Sequence, residues 1–199
     1  MEATLKRVTA ALRDADVPFL LGGSLASWAR GGPETRHDLD IMLRPADAER
    51  ALEVLTAEGL RPERPPEGWL YKAWDGEVQV DLIFEPKGLE ITDEVLERGE
   101  DLDVLAIRTR VMALEDMLTT KLLALDEHSL DYSSLLQIAR ALREQIDWGA
   151  VRARTAGSPF AKPFFVLLEE LGVAPAGSAT GTAGRSRVRV VEPASSRAR

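Results

Sequence analysis

The sequence contains no cysteine among its 199 residues, so disulfide bonds and thiolate zinc sites are excluded. It also lacks any apolar run near the roughly 20 residues that a membrane-spanning helix requires. The first residues do not show the basic and then apolar order that is typical of a signal peptide. We therefore expect a soluble, cytoplasmic protein that contacts no membrane.

Acidic residues outnumber basic residues. The chain has 25 lysines and arginines against 33 aspartates and glutamates, which gives a net charge of −8. Five of the arginines and only one glutamate follow residue 172, so residues 1–172 carry a net charge of −12. An acidic body of this kind disfavours tight binding to long nucleic-acid duplexes, whereas it is compatible with a site for a metal and a nucleotide or simply with solubility.

The first half of the chain alternates predicted helices with short apolar strands. The helices are predicted over 3–15, from 25, from 45 and over 91–98, and the strands over 19–21, 38–43 and 103–107. Asp75-Gly76 stands between two β-forming runs, 69–74 and 77–84, and this predicts a hairpin. The charged, proline-rich segment 61–68 is predicted to be a surface loop.

The second half is predicted to be helical over 114–126, 132–145 and 163–171. We therefore predict an α/β (α+β) fold in which a short mixed sheet is flanked by helices and followed by an α-helical half. The predicted units are a core domain at 1–110, a helical subdomain at 111–172 and a basic tail at 173–199. The tail is rich in Ala, Gly, Ser, Thr, Pro and Arg, and we expect it to be disordered.

Two glycines and a serine end the first predicted strand. Gly22 and Gly23 have no side chains, so their backbone N–H groups can approach an anion closely. Ser24 is predicted to cap the short helix that follows, where its hydroxyl and the helix N-terminus suit a phosphate. The alternative is an ordinary turn from strand to helix.

Three aspartates form the second candidate group. Asp38 and Asp40 are one residue apart in a predicted strand, so both side chains point to the same face, where they repel each other unless a cation lies between them. Asp81 is an isolated acid in the second strand of the hairpin. Carboxylate oxygens are ligands that Mg²⁺ prefers. Alternatively, Asp38 and Asp40 lie at a solvated strand edge, and Asp81 is a charged residue that keeps an edge strand soluble.

Gly23-Ser24, a spacer of thirteen residues, Asp38-Leu39-Asp40-Ile41 and the later Asp81 resemble the signature of the polymerase-β-type nucleotidyltransferase superfamily. The resemblance covers roughly residues 17 to 145. It implies transfer of a nucleoside monophosphate from a nucleoside triphosphate (NTP), with two Mg²⁺ ions held by the three aspartates. Asp81 would then act as general base, and Gly22, Gly23 and Ser24 would bind the phosphates.

The segments 104–106 and 114–122, with Asp131, resemble the part that follows the third carboxylate in bacterial nucleotidyltransferase-like proteins. These include small nucleotidyltransferases that adenylylate antibiotics and the toxins of abortive-infection-type toxin–antitoxin systems, and the chain is most similar to the toxins. That similarity implies a nucleotide-binding role for Lys121 and Asp131, a tRNA or protein acceptor, and a cognate antitoxin as partner. The alternatives are a solvated lysine at 121 and an aspartate at 131 that caps the helix starting at Tyr132.

Two further functions stay open at this point. One is an enzyme that modifies a small molecule such as an aminoglycoside antibiotic, and the other is a nucleotide-binding module without catalysis. Arg36 and His37 precede the aspartate strand and could contact phosphate or acceptor. Trp69 and Trp74 are interpreted as packing residues rather than as a base-stacking platform, because the acidic body offers no basic groove beside them. Asp101-Leu102-Asp103 is discounted as a site because no Gly-Ser turn precedes it at the required distance.

Overall fold

A computed structural model describes residues 1–33 and 38–176. Within these residues, strands and helices alternate first and helices follow. The elements are α1 (Glu2–Asp14), β1 (Leu20–Leu21), α2 (Gly23–Trp28), β2 (Asp38–Met42), a 3₁₀ turn (Pro45–Asp47), α3 (Ala48–Ala57), β3 (Arg61–Glu63), β4 (Leu70–Asp75), β5 (Val78–Ile83), α4 (Asp93–Glu97), β6 (Glu100–Val104), β7 (Ile107–Val111), α5 (Leu114–Ala124), α6 (Ser133–Leu142), α7 (Trp148–Arg154) and α8 (Ala161–Glu170). The predicted mixed α/β architecture is confirmed.

The described strands form one seven-stranded sheet in the order β3-β4-β5-β2-β1-β7-β6. Neighbours pair antiparallel except for β2 with β5 and β1 with β7, which are parallel. In the centre of the sheet, Leu39 and Ile41 of β2 and Val80 and Leu82 of β5 are fully buried. These residues alternate with the aspartates, so the core lies on one face of the sheet and the carboxylates lie on the other.

Local pattern accounts for the elements that frame this sheet. Leu5, Val8 and Leu12 recur at helical spacing in α1, and all three are fully buried, as predicted. The predicted hairpin is present as β4 and β5, with Gly76 in the left-handed conformation that its tight turn requires. Thr4 and Arg7 of α1 both bond the Asp75 carboxylate, which joins the helix to that turn.

The secondary structure differs from the prediction in three places. The single strand over 103–107 is instead the turn of a hairpin, because Leu105 and Ala106 both adopt positive φ between β6 and β7. The segment predicted as a loop contains the edge strand β3, in which Pro62 is tolerated because the strand has only one neighbour. Helix α7 was not predicted.

The helical half is joined to the rest by a buried carboxylate. Asp116 of α5 is fully buried and bonds the guanidinium groups of Arg98, which follows α4, and Arg154 of α7. Helix α5 also packs on α6 and α7. Val173 and Ala174 are buried, and the predicted tail beyond Ala176 lies outside the described residues. Within the described chain, we find no helix with the length and apolar character needed to cross a membrane.

Candidate active site

Parallel pairing of β2 with β5 brings the three aspartates onto one face of the sheet. The register places Asp40 opposite Asp81 and Asp38 opposite Gln79. Side chains at paired positions of neighbouring strands point the same way, so Asp40 and Asp81 are side by side. Asp38 lies two residues before Asp40 on the same face.

The Asp40 carboxyl group has a strongly perturbed acidity. Its pKa is raised from 3.8 to about 6, mainly because burial penalises the charged form. The nearby carboxylates of Asp81 and Asp38 raise the pKa further, whereas the Lys121 ammonium and the backbone N–H of Ser24 oppose the rise. Asp40 therefore lies in negative surroundings that a bound cation would relieve.

The Asp81 carboxyl group is held by its own strand. Gln79 donates from Nε2 to both Asp81 oxygens at 2.8 and 2.9 Å. Burial raises the pKa of Asp81, the Gln79 hydrogen bonds and the Lys72 ammonium lower it, and the carboxylates of Asp38 and Glu63 raise it again. Each Asp81 oxygen accepts one of these contacts and keeps a second lone pair that can bind a cation.

The glycine bend touches the aspartate strand directly. Gly22 donates its N–H to the Asp40 carbonyl oxygen at 2.7 Å. Gly23 has a φ of +60°, and a Cβ added there would lie 1.6 Å from Oδ2 of Asp40. Glycine is therefore required at position 23 both by the backbone conformation and by this contact.

Ser24 does not cap the helix as predicted. Helix α2 begins at Gly23 with Gly22 at its N-cap, so Ser24 lies in the first turn. Its backbone N–H bonds the Asp40 carboxylate instead. The glycine bend and Asp40 are thus joined by hydrogen bonds from the backbone N–H groups of Gly22 and Ser24.

A cleft of about 570 Å³ opens beside the glycine bend and Asp40. Its lining combines the site residues with apolar side chains from the sheet and α5 and with charged residues of two loops. The lining residues are Gly23, Asp40, Met42, Trp69, Ile83, Glu85, Pro86, Lys87, Met112, Met117, Thr120, Lys121, Ala124 and Asp126. The size lies in the range that is typical of small-molecule sites.

The two residues predicted from the helical half are placed differently. Lys121 of α5 lines the cleft, and its ammonium group lowers the pKa of Asp40. Asp131 is exposed and accepts a 2.8 Å hydrogen bond from the backbone N–H of Ser133, where α6 begins. It is not among the described residues that line the cleft, so its position matches the alternative, a helix cap.

Some residues of this region were not found from the sequence. Trp69, interpreted as a packing residue, lines the cleft and is 41% exposed. Gln79 was missed, although its position two residues before Asp81 on the same strand face is a signal that the sequence does contain. Arg36 and His37 lie outside the described residues.

The donor set suits a hard cation even though it is not arranged as a finished metal site. Within 1–33 and 38–176, no three Asp, Glu or His side chains are already grouped to hold a metal ion. Asp38, Asp40 and Asp81 nevertheless offer oxygen ligands from neighbouring strand positions, and Asp40 is destabilised in its charged form. These features fit Mg²⁺ better than a metal that prefers nitrogen or sulfur.

Sequence comparison identifies one family. The model of the family described as uncharacterised nucleotidyltransferases matches residues 1–169. No curated protein matches the chain in sequence.

Three solved structures with a similar fold are enzymes or factors of antibiotic resistance. ANT(2")-Ia in complex with adenylyl-2"-tobramycin has a TM-score of 0.60 and 13% identity, over 82% of this chain and 98% of that chain. The solution structure of the antibiotic-resistance factor ANT(2'')-Ia has a TM-score of 0.57 and 16% identity, over 86% and 99%. The lincomycin-bound lincosamide antibiotic adenylyltransferase LnuA has a TM-score of 0.51 and 14% identity, over 69% and 94%. At these identities the likeness establishes the fold.

Proposed function

Since this chain belongs to the family of uncharacterised nucleotidyltransferases, we propose that it transfers a nucleoside monophosphate from an NTP to a hydroxyl group of a small acceptor molecule. The hydroxyl oxygen forms a bond to the α-phosphorus, and pyrophosphate leaves. The observation that carries the proposal is the register of β2 and β5, which puts Asp40 beside Asp81, next to the glycine bend. Carboxylates on adjacent strands beside an anion-binding turn are the parts that phosphoryl-group transfer needs.

In this proposal, Asp38, Asp40 and Asp81 hold Mg²⁺, as two ions. Bound Mg²⁺ would neutralise phosphate charge and stabilise the attacking and leaving oxygens. Asp81 is on β5, which lies next to β4, and we place the acceptor on this side of the site. The Asp81 carboxylate takes the proton of the acceptor hydroxyl. Gln79 keeps this carboxylate in place before substrate binds.

The phosphates are proposed to lie between the glycine bend and α5. The Gly22 N–H already donates to the Asp40 carbonyl oxygen. We therefore assign Gly22 a role in shaping the bend and not in contacting phosphate. Gly23 and Ser24 are proposed to contact the phosphates, with the Lys121 ammonium supplying positive charge from the other side of the cleft. Asp131 has no part in this arrangement, because it caps α6.

The acceptor is proposed to be small because the described surface offers little positive charge for RNA. Residues 1–172 carry a net charge of −12, and many arginines are already paired with acids, as Arg7 is with Asp75 and Arg64 is with Glu49. Tight RNA binding depends on lysines and arginines that are available to phosphates. An acidic surface instead attracts a cationic small molecule. A toxin-like reaction on tRNA or protein, with a cognate antitoxin, has in its favour the resemblance of the helical half and, for RNA, the five arginines beyond residue 172.

Incubation with each α-labelled NTP and Mg²⁺ tests the proposal. The acceptors to be compared are aminoglycosides, lincosamides, total tRNA and the protein itself. We expect label on a small molecule; label on tRNA or on protein would overturn the acceptor class and favour the toxin-like reaction. NTP binding without transfer to any acceptor would indicate a non-catalytic module.

Matched variants make the test specific to the site. Asp38→Asn and Asp81→Asn should abolish transfer while leaving the protein folded, which a cooperative thermal unfolding transition would show. Asp101→Asn, a change of the same kind at an exposed position of β6, should keep full activity. Full activity in Asp81→Asn would remove Asp81 from the reaction.

A further inference from the structure

Two tryptophans flank the aspartates at opposite ends of the β4–β5 hairpin. Trp74 of β4 pairs with Gln79, whereas Trp69 precedes β4 and lies beyond the pair formed by Leu70 and Ile83. The tryptophans are five positions apart, which corresponds to about 17 Å along an extended strand. The paired positions of Lys72 and Asp81 fall between them.

The cleft lies on the Trp69 side of the carboxylates. Met42 and Ile83, which line it, follow Asp40 and Asp81 in the direction in which β2 and β5 run. Lining residues 85–87 come directly after β5, whereas Trp74 is not among the described residues that line the cleft. Asp40 and Trp69 therefore border the same cleft.

Trp69 is fixed in its backbone and exposed in its side chain. Its carbonyl oxygen accepts hydrogen bonds from the N–H groups of Phe84 and Glu85, both at 3.2 Å. The residue is nevertheless 41% exposed, and it is one of those that line the cleft. An exposed indole ring at the border of a cleft offers a flat apolar surface on which another ring can stack.

The rest of the cleft wall is suited to a flat apolar ring. Met42, Met112 and Met117 come from β2, the residue after β7, and α5, and they supply flexible, polarisable side chains around the volume. Charged residues, Lys87 and Asp126 among them, come from the two loops that border it. A nucleobase combines an apolar face with a polar edge and so matches such a lining.

We propose that this cleft binds the nucleoside of the NTP, with its base stacked on Trp69. The inference rests on the proposed function and adds the position of the nucleoside. The phosphates are placed next to Gly23, Asp40 and Lys121, which line the same cleft, and the nucleoside is covalently joined to the α-phosphate. The acceptor then approaches from the opposite side of Asp81, across Lys72 and Trp74.

Equilibrium binding without an acceptor tests this orientation. The probes are the non-hydrolysable α,β-methylene analogues of ATP, GTP, CTP and UTP, and inorganic triphosphate, each titrated calorimetrically with Mg²⁺. We expect Trp69→Leu to weaken binding of the preferred analogue about 10-fold, because it removes the stacking ring. Trp69→Phe keeps a ring and should lose about 3-fold or less. Binding of inorganic triphosphate should be the same in the wild type and both variants.

Trp74→Leu is the matched control, since it removes the same ring from the other side of Asp81. It should leave analogue binding within about 2-fold of the wild type. Unchanged analogue binding in Trp69→Leu, or a larger loss in Trp74→Leu, would overturn the proposed orientation. An equal loss for inorganic triphosphate would show that Trp69 acts only on the shape of the site, which also overturns it. If the wild type bound no analogue and no triphosphate, the proposed function itself would fail.

Discussion

Replacing Asp40 by asparagine separates the stability of the site from its function. The pKa of Asp40 is raised to about 6 in the folded protein, chiefly by burial and also by Asp81 and Asp38. Asparagine has nearly the same shape and keeps an oxygen that can accept the Ser24 N–H, but it carries no charge. The variant should therefore be more stable than the wild type in the absence of metal, even though it cannot bind Mg²⁺ in the same way.

The size of the effect follows from the shift in pKa. Moving the pKa of Asp40 from 3.8 to about 6 corresponds to about 3 kcal/mol. Because the folded protein binds this proton more tightly than the unfolded chain does, the wild type loses stability as the pH rises from about 4 to about 6. Asp40→Asn should thus be about 3 kcal/mol more stable than the wild type at pH 7.5, and only about 1 kcal/mol more stable at pH 4.5.

Urea unfolding with EDTA at the two pH values measures this difference. The slope of unfolding free energy against urea should be the same in both proteins, so that the comparison reports stability alone. Asp101→Asn, at an exposed position, should match the wild type at both pH values. Adding Mg²⁺ at pH 7.5 should stabilise the wild type and have little effect on Asp40→Asn, because binding to the folded state adds to its stability.

Two results would refute this reasoning. Equal stability of Asp40→Asn and the wild type at pH 7.5 would mean that the Asp40 carboxylate is fully solvated and under no electrostatic stress. Lower stability of the variant would mean that Lys121 and the Ser24 N–H outweigh burial and the neighbouring carboxylates. Either result would remove the main physical reason for placing a cation at this position.

Three further substitutions test other parts of the structure. Gly23→Ala should lower the unfolding free energy by about 2 kcal/mol or more and impair nucleotide binding, since its Cβ would collide with the Asp40 carboxylate. Gly31 also has a positive φ but has open space around it. Gly31→Ala should therefore lower the unfolding free energy less and leave nucleotide binding intact. Asp116→Asn should lower the unfolding free energy by about 2 kcal/mol in urea, because Arg98 and Arg154 both lose the buried carboxylate with which they pair. An unchanged midpoint would contradict that role. Lys121→Met should weaken calorimetric binding of inorganic triphosphate with Mg²⁺ about 10-fold, whereas Lys162→Met on the exposed side of α8 should not.

Several parts of the fold were predictable because they depend on neighbours in the chain. The apolar stripe of α1 and the turn at Asp75-Gly76 are local signals, and the structure has both elements. The turn at Leu105 and Ala106 was not predictable, because neither residue is one that favours positive φ. Its conformation is imposed by the pairing of β6 with β7.

The candidate site divides in the same way. That Asp38 and Asp40 share a face follows from strand alternation alone. The face of Lys121 could not be inferred from α5 itself, since apolar and polar residues surround it on both sides in the sequence. Packing of α5 on the other helices turns Lys121 toward the cleft, while Asp131 is used by the start of α6.

The sequence by itself therefore determined the local pieces: the glycine bend, the two aspartates on one strand face, the hairpin that carries Asp81, and the amphipathic helices. Only the tertiary structure decided that β2 and β5 pair in parallel with Asp40 beside Asp81, and that a cleft leads from there to an exposed Trp69. The physical reason is the separation along the chain between the residues that interact. Alternation, turns and caps depend on residues within one or two turns of chain, whereas strand register and cavity shape depend on contacts between segments about 40 or more residues apart, where no local propensity acts.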